Sequence, residues 1–201
     1  MKYALLVVFT LLAGCHEKDE ISPPPPPLRP DPQPKENVAV AKDCAPTDPA
    51  SEPKAMPFDE RSIPEGMRLA DQAYSKFTAS NNAEVDRMTR EQYVTDAVND
   101  FITALVADPY NVKATYGLAA VYAKIGRKQC SVNLLTRLLQ MKPHWSKKVE
   151  VEKYIDKLLG RKQVLDADFA DMRRDNRFRE LIMKMCADTN DPNCVYGAQG
   201  R

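Results

Sequence analysis

Residues 112 to 145 read VKATYGLAAVYAKIGRKQCSVNLLTRLLQMKPHW. Apolar residues recur at every third or fourth position on both sides of Gly126, and Pro143 follows the last of them. This period places apolar side chains on one face of an α-helix, and glycine and proline interrupt helices. The stretch therefore predicts two amphipathic helices joined by a turn at Gly126. Their predicted apolar faces are Ala114, Leu118, Val121, Tyr122 and Ile125 in the first, and Val132, Leu135, Leu138 and Leu139 in the second.

The same periodicity continues on both sides of this stretch. It predicts a helix over Ile63–Phe77, introduced by Ser62 and Glu65 in the pattern of a capping box. A second helix is predicted to end before Pro109, a fifth to end at Gly160, and two short helices to follow. No segment has the alternation of a strand, so the predicted fold class is all-α. The side chains predicted to cap the later helices are Asn111, Asp168 and Asp175.

Two parts of the chain share one spacing. Pro109 and Pro143 lie 34 residues apart, and each follows a helix with small and large apolar residues at the same offsets. Small residues where two helices cross let the backbones approach, while larger ones fill the neighbouring hole. The spacing therefore predicts helix hairpins that pack on one another. The matching positions are Ala97, Phe101 and Ala104 before the first proline, and Ser131, Leu135 and Leu138 before the second.

This pattern resembles the tetratricopeptide repeat (TPR) over about half of the chain. In the best unit, Leu118, Ala119, Tyr122 and Gly126 stand at the family's leucine, small, tyrosine and turn-glycine positions. The match is uneven, because a long polar stretch over 78–90 interrupts the unit before it. The resemblance implies a TPR-like α-solenoid of about three helix pairs over residues 58–187, with a C-terminal tail over 188–201. An unrelated helical bundle is the alternative.

The chain opens with a segment typical of a secretory signal. Lys2 supplies a positive charge, residues 4–12 are apolar except Thr10, and small residues precede Cys15. The apolar run is too short to span a bilayer. The sequence Leu-Ala-Gly-Cys over 12–15 resembles the bacterial lipobox, which implies removal of residues 1–14 and attachment of a diacylglycerol and an N-acyl lipid to Cys15. An ordinary secretory signal with a chance cysteine is the alternative.

A proline-rich segment separates Cys15 from the predicted helices. Eight of the twelve residues over 23–34 are proline. Such a composition cannot bury enough apolar surface to offset the entropy of ordering, so residues 15–57 are predicted to form a disordered, semi-rigid tether. A proline-rich ligand for an aromatic groove is the alternative.

The cysteine content and the net charge restrict the disulfides, partners and metal sites that the chain is predicted to have. Cys186 and Cys194 flank a short polar stretch and are predicted to pair, which leaves Cys44 to pair with Cys130; reduced cysteines are the alternative. Without Lys2, the 29 basic residues fall to 28, equal to the 28 acidic ones. A net charge near zero argues against nucleic-acid partners and against electrostatic binding to anionic lipid. No CxxC pair is present, so no metal site is predicted.

The predicted function is binding, not catalysis. The chain has only two histidines, His16 and His144, and no GxSxG, HExxH or phosphate-binding glycine motif. We therefore expect no enzyme activity and no cofactor besides the lipid on Cys15. The TPR resemblance implies a partner-binding groove, with Tyr116 as a contact platform and lysines that meet acidic groups; ordinary exposed helix residues are the alternative. The positions that the family places in this groove are Lys113, Tyr116, Ala120, Ala123 and Lys124.

The lipobox and TPR resemblances together imply a membrane-anchored scaffold or assembly factor of the periplasm, similar to a pilotin or to an accessory lipoprotein of an envelope machine. Its expected partner is another cell-envelope protein or peptide. His16, not aspartate, follows Cys15, and this favours the outer membrane with the domain facing the periplasm. The alternatives are a structural spacer between membrane and cell wall, or an accessory of peptidoglycan-processing enzymes.

Overall fold

The computed structural model describes residues 60–161 and 164–187, together with Cys194. All regular structure in these residues is helical, so the predicted all-α fold class is confirmed for this part of the chain. The signal segment 1–14, the tether 15–57 and, apart from Cys194, the tail 188–201 lie outside the described residues. The elements are α1 (Ile63–Ser80), α2 (Arg87–Ala107), α3 (Val112–Lys124), α4 (Lys128–Met141), α5 (Lys148–Leu159), a 3-10 helix (Ala167–Met172) and α6 (Asn176–Cys186).

Most helix ends follow the local signals in the sequence. The side chain of Asn111 accepts a hydrogen bond from the N–H of Ala114 at 2.8 Å, as predicted for the cap of α3. Asp175 caps α6 in the same way. Gly126 and Gly160 follow α3 and α5 with φ of +84° and +67°, a left-handed conformation that glycine adopts without steric cost. These four predictions are confirmed.

Two predicted caps are wrong. The side chain of Ser62 makes no capping hydrogen bond; its backbone N–H donates to the carbonyl of Ala107 at 2.9 Å, and the Glu65 carboxylate accepts from Arg68 instead. The 3-10 helix is capped by Asp166 and not by Asp168. At α1, Ala107 and Arg68 take the two groups that a capping box would join. The 3-10 helix begins at Ala167, so Asp168 lies within its first turn and not before it.

The helices form two hairpins, α1 with α2 and α3 with α4, and α2 also packs on α3. The Ser131 hydroxyl donates to the Ala119 carbonyl at 2.8 Å, so the small residue at the α3–α4 crossing also joins the two helices. A Cβ built on Gly117 would lie 2.3 Å from the Phe101 ring, so only glycine allows α2 this close to α3. All six residues at the repeated offsets are buried, namely Ala97, Phe101, Ala104, Ser131, Leu135 and Leu138.

The C-terminal segment packs back on the second hairpin. The 3-10 helix lies on α3 and α6 lies on α4, and the buried rings of Phe169 and Phe178 stack with centroids 6.2 Å apart. The predicted pairing of Cys186 with Cys194 is confirmed, with Cα atoms 5.6 Å apart. Cys130 is buried on α4 and is disulfide-bonded. Cys44, its predicted partner, lies outside the described residues, so that pairing stays a prediction.

Candidate functional site

The five predicted groove residues lie along α3, but they differ in exposure. Tyr116, Ala120 and Ala123 are buried, whereas the side chains of Lys113 and Lys124 are 34% and 44% exposed. The expectation that Tyr116 offers an exposed contact platform is therefore wrong in this structure. The cause is the chain itself, because the 3-10 helix and α5 cover the ring.

Tyr116 is held by contacts from the C-terminal segment. Its hydroxyl donates to Oδ2 of Asp166 at 2.8 Å, and its ring lies 4.6 Å from that of Tyr154 and 5.5 Å from that of Phe169, between centroids. Burial, the charge of Asp166 and this hydrogen bond all raise the pKa of Tyr116. The hydroxyl therefore remains protonated and serves as a hydrogen-bond donor inside the fold.

Asp166 is the acceptor at the centre of this arrangement. Lys157 Nζ lies 2.8 Å from its Oδ2, and the N–H of Asp168 donates to its Oδ1 at 3.1 Å. Burial opposes ionisation of Asp166, but the Lys157 ammonium and the Asp168 and Tyr116 donors outweigh it and hold the pKa of Asp166 below its usual value. For Asp168 the direction reverses, because burial and the charge of Asp166 raise its pKa. One ionised carboxylate thus joins α3, α5 and the 3-10 helix.

Three tyrosines from three helices lie close to two lysines. We call Tyr74 of α1, Tyr116 of α3 and Tyr154 of α5 the tyrosine cluster. Lys113 Nζ lies 5.2 Å from the Tyr74 ring centroid, and Lys157 Nζ lies 5.8 Å from Tyr74 and 5.5 Å from Tyr116. These distances are within the range of cation–π attraction. Tyr74 and Tyr154 are only partly buried, so the cluster has an accessible edge beside α1 and α5.

The accessible edge continues onto α1. Lys113 forms an ion pair with Asp71, and Lys124 donates to the side-chain oxygen of Asn81. These two contacts attach the side of α1 to the side of α3 and leave a stripe of α1 residues at three- and four-residue spacing exposed. This stripe, which we call the α1 face, consists of Met67, Asp71, Ser75 and Thr78.

The site offers groups for binding. The α1 face and the edge of the tyrosine cluster present an apolar side chain, ring faces, an ammonium and a carboxylate within one surface. Among the residues that the structure describes, no group of three or more His, Cys, Asp or Glu side chains is placed to hold a metal ion. Within the same residues, no helix has the length and apolar content needed to cross a membrane.

Tyr74, Tyr154, Lys157 and Asp166 were not predicted as site residues. Tyr74 and Tyr154 fit the apolar period of their helices, which predicts packing alone. The hydrogen bond between Tyr116 and Asp166 joins residues 50 positions apart, and no local pattern carries such a contact. The only signal in the sequence is that three predicted first helices each contain a tyrosine.

No protein-family model matches the chain, and no characterised protein or solved structure matches it at a significant level.

Proposed function

We propose that this chain is a membrane-anchored interaction scaffold of the bacterial cell envelope. In this proposal Cys15 carries the lipid, residues 15–57 form the tether, and the helical domain binds another envelope protein. The domain acts by binding and not by catalysis. The observation that carries the proposal is the α1 face, an exposed surface beside partly buried aromatic rings and paired charges.

The packing of α1 against α3 supports a TPR-like stack. Asp71 pairs with Lys113, and Asn81, ten residues later, pairs with Lys124, eleven residues after Lys113. Because both contacts occur in the same order along the two helices, α1 and α3 run in the same direction. First helices of successive hairpins run this way in a solenoid. In our proposal α5 begins a third unit, and the 3-10 helix and α6 close the array.

The chemistry of the α1 face suits a peptide or helix of another protein. Met67 is a flexible apolar contact, and Lys113 and Asp71 offer both signs of charge. The partly buried Tyr74 supplies an aromatic anchor whose ring is already fixed by a T-shaped contact with Phe101. A fixed ring loses little conformational entropy when a partner binds.

Site-specific photo-crosslinking in cells tests this proposal. A photoreactive amino acid replaces Ser75 on the α1 face of the full chain, and the matched control replaces Thr103, which is exposed on α2. We expect a defined adduct with an envelope protein from position 75 and none from position 103, and we expect Met67→Glu to abolish it. Adducts of equal yield at both positions, or adducts that persist with Met67→Glu, would contradict the proposal.

Fractionation tests the anchor separately. We expect the wild-type chain in the outer-membrane fraction and Cys15→Ala in the soluble periplasmic fraction, because lipid chains supply the stable membrane attachment. Deletion of residues 58–187 with the tether retained separates the scaffold from a simple spacer. The scaffold proposal requires that cells with this deletion behave like cells that lack the whole protein. If they behave like the wild type, the spacer proposal replaces the scaffold proposal.

A further inference from the structure

The turn between α4 and α5 exposes the only tryptophan of the chain. Trp145 is 85% exposed, and Val149 is 80% exposed. The N–H of Lys148 donates to the His144 carbonyl at 3.0 Å, so this turn has helical geometry and places Trp145 and Val149 one helical turn apart. We call residues 142–149 the Trp145 turn.

The exposed indole lies beside the ring of its neighbour in the sequence. The His144 ring stacks on it with a centroid distance of 6.2 Å and an interplanar angle of 21°. The Ser146 hydroxyl lies 2.9 Å from Nδ1 of His144, within hydrogen-bond distance. Single exposed apolar residues are ordinary on a protein surface, but Trp145 and Val149, one turn apart, form an exposed apolar pair.

Lysines are in excess in the segment that carries this apolar pair. Residues 142–153 contain four lysines and two glutamates, a local formal charge of +2, in a chain whose overall formal charge is +1. Lys147 and Lys148 lie directly between Trp145 and Val149 in the sequence. Lysine extends its charged end toward anionic groups while its stem covers apolar surface. A net charge near zero over the whole chain therefore coexists with a local excess of formal positive charge in this segment.

We propose that the Trp145 turn is a second membrane contact, which binds the headgroup region of an anionic bilayer. The indole and Val149 enter the boundary between headgroups and acyl chains, where tryptophan is enriched in membrane proteins. Lys147 and Lys148 meet anionic headgroups. A bilayer surface supplies negative charge and an apolar boundary together, and it requires no pocket in the protein. The contact does not require the lipid on Cys15, but it is weak and reversible, so it places the tethered domain against the membrane and does not by itself retain Cys15→Ala in the membrane fraction.

Fluorescence of Trp145 tests the contact directly, because no other tryptophan contributes to the emission. The full chain with Cys15→Ala is mixed with vesicles of phosphatidylcholine alone or with one quarter phosphatidylglycerol. We expect a blue shift, protection from acrylamide and quenching by brominated acyl chains with the anionic vesicles only. The signal reports on this turn whichever other part of the chain touches the vesicle.

Two charge-reversal variants complete the experiment. Lys147→Glu with Lys148→Glu keeps the indole, and we expect its partition coefficient for anionic vesicles to fall about tenfold or more. The matched control, Arg179→Glu with Lys184→Glu, makes the same change of charge at exposed positions of α6 and should bind as the parent does. Circular dichroism melts establish that both variants fold.

Three outcomes would overturn the proposal. The first is an emission spectrum that no vesicle changes, and the second is an equal shift with neutral and anionic vesicles. The third is a shift that follows protein concentration without lipid, which would assign the turn to contacts between copies of the chain. Failure of the lipid anchor in cell fractionation leaves this test unaffected, so the two proposals fail separately.

Discussion

The first helices of the two hairpins have opposite environments. In α3, eleven of thirteen residues are buried, whereas in α1 only five of eighteen are. The 3-10 helix and α5 cover α3 through Phe169 and Tyr154, while the α1 face remains exposed within the described residues. The comparison shows that elements downstream of a hairpin, and not the hairpin's own sequence pattern, decide which face of its first helix stays exposed.

The largest effect is expected where the cover of α3 is removed. Phe169→Ala deletes a fully buried ring that contacts Tyr116 and Phe178, and we expect the free energy of unfolding to fall by about 3–5 kcal/mol. Urea denaturation measures it. Met183→Ala, at an exposed position of α6, is the control and should change stability by less than about 0.5 kcal/mol. A similar small change for both variants would mean that the cover contributes nothing.

The approach of α2 to α3 gives the second prediction. Gly117→Ala places a methyl group 2.3 Å from the buried Phe101 ring, and overpacking of this kind costs about 1–3 kcal/mol. Ser75→Ala makes an equally small change on the α1 face, where no packing opposes it, and helix propensity favours alanine there. Thermal unfolding of both variants compares the two helices. If Gly117→Ala is as stable as Ser75→Ala, the close contact is absent.

The hydrogen bond between Tyr116 and Asp166 gives a third, smaller effect with a pH dependence. Tyr116→Phe removes one donor from a buried carboxylate, and we expect a loss of about 1–2 kcal/mol at neutral pH. Because the pKa of Asp166 is lowered in the folded state, its stabilising contribution is present above the usual carboxyl pKa and is lost as the pH falls through the folded value.

Without the Tyr116 donor, the folded-state pKa of Asp166 is lowered less, so the loss is complete at a higher pH and the acid-unfolding midpoint of Tyr116→Phe should shift upward. Asp168 acts in the opposite sense, because its pKa is raised and its contribution is lost as the pH rises. Tyr93→Phe on α2 is the control. An unchanged midpoint in Tyr116→Phe, with wild-type stability, would show that Tyr116 and Asp166 do not interact.

The smallest effect on stability is expected on the α1 face. Asp71→Ala removes a solvent-exposed ion pair with Lys113, which is worth less than about 0.5 kcal/mol. If this surface binds a partner, the same variant should reduce the photo-crosslink from position 75 although the domain keeps its stability. A large loss of stability would show that α1 depends on this pair for packing. The exposed α1 face and the covered helix α3 would then differ less than we describe.

The sequence predicted where the helices begin and end better than it predicted which residues cover them. Caps such as Asn111 and Asp175 and the stop at Gly160 depend on residues within one turn, so local chemistry decides them. The burial of Tyr116 depends on Asp166, which lies 50 positions later and belongs to an irregular segment. Periodicity identifies the apolar side of a helix, but it cannot tell whether a neighbouring element of the same chain or a partner covers the rest.

The central claim is that Tyr154 and Phe169 cover Tyr116 on α3. Nuclear Overhauser effects between ring protons measure this contact most directly. In the folded full chain, we expect ring protons of Tyr116 to show effects to the rings of both Tyr154 and Phe169, whose centroids lie 4.6 and 5.5 Å away. The absence of these effects, together with solvent-accessible Tyr116 ring protons, would contradict the account. It would return Tyr116 to the role of an exposed contact residue.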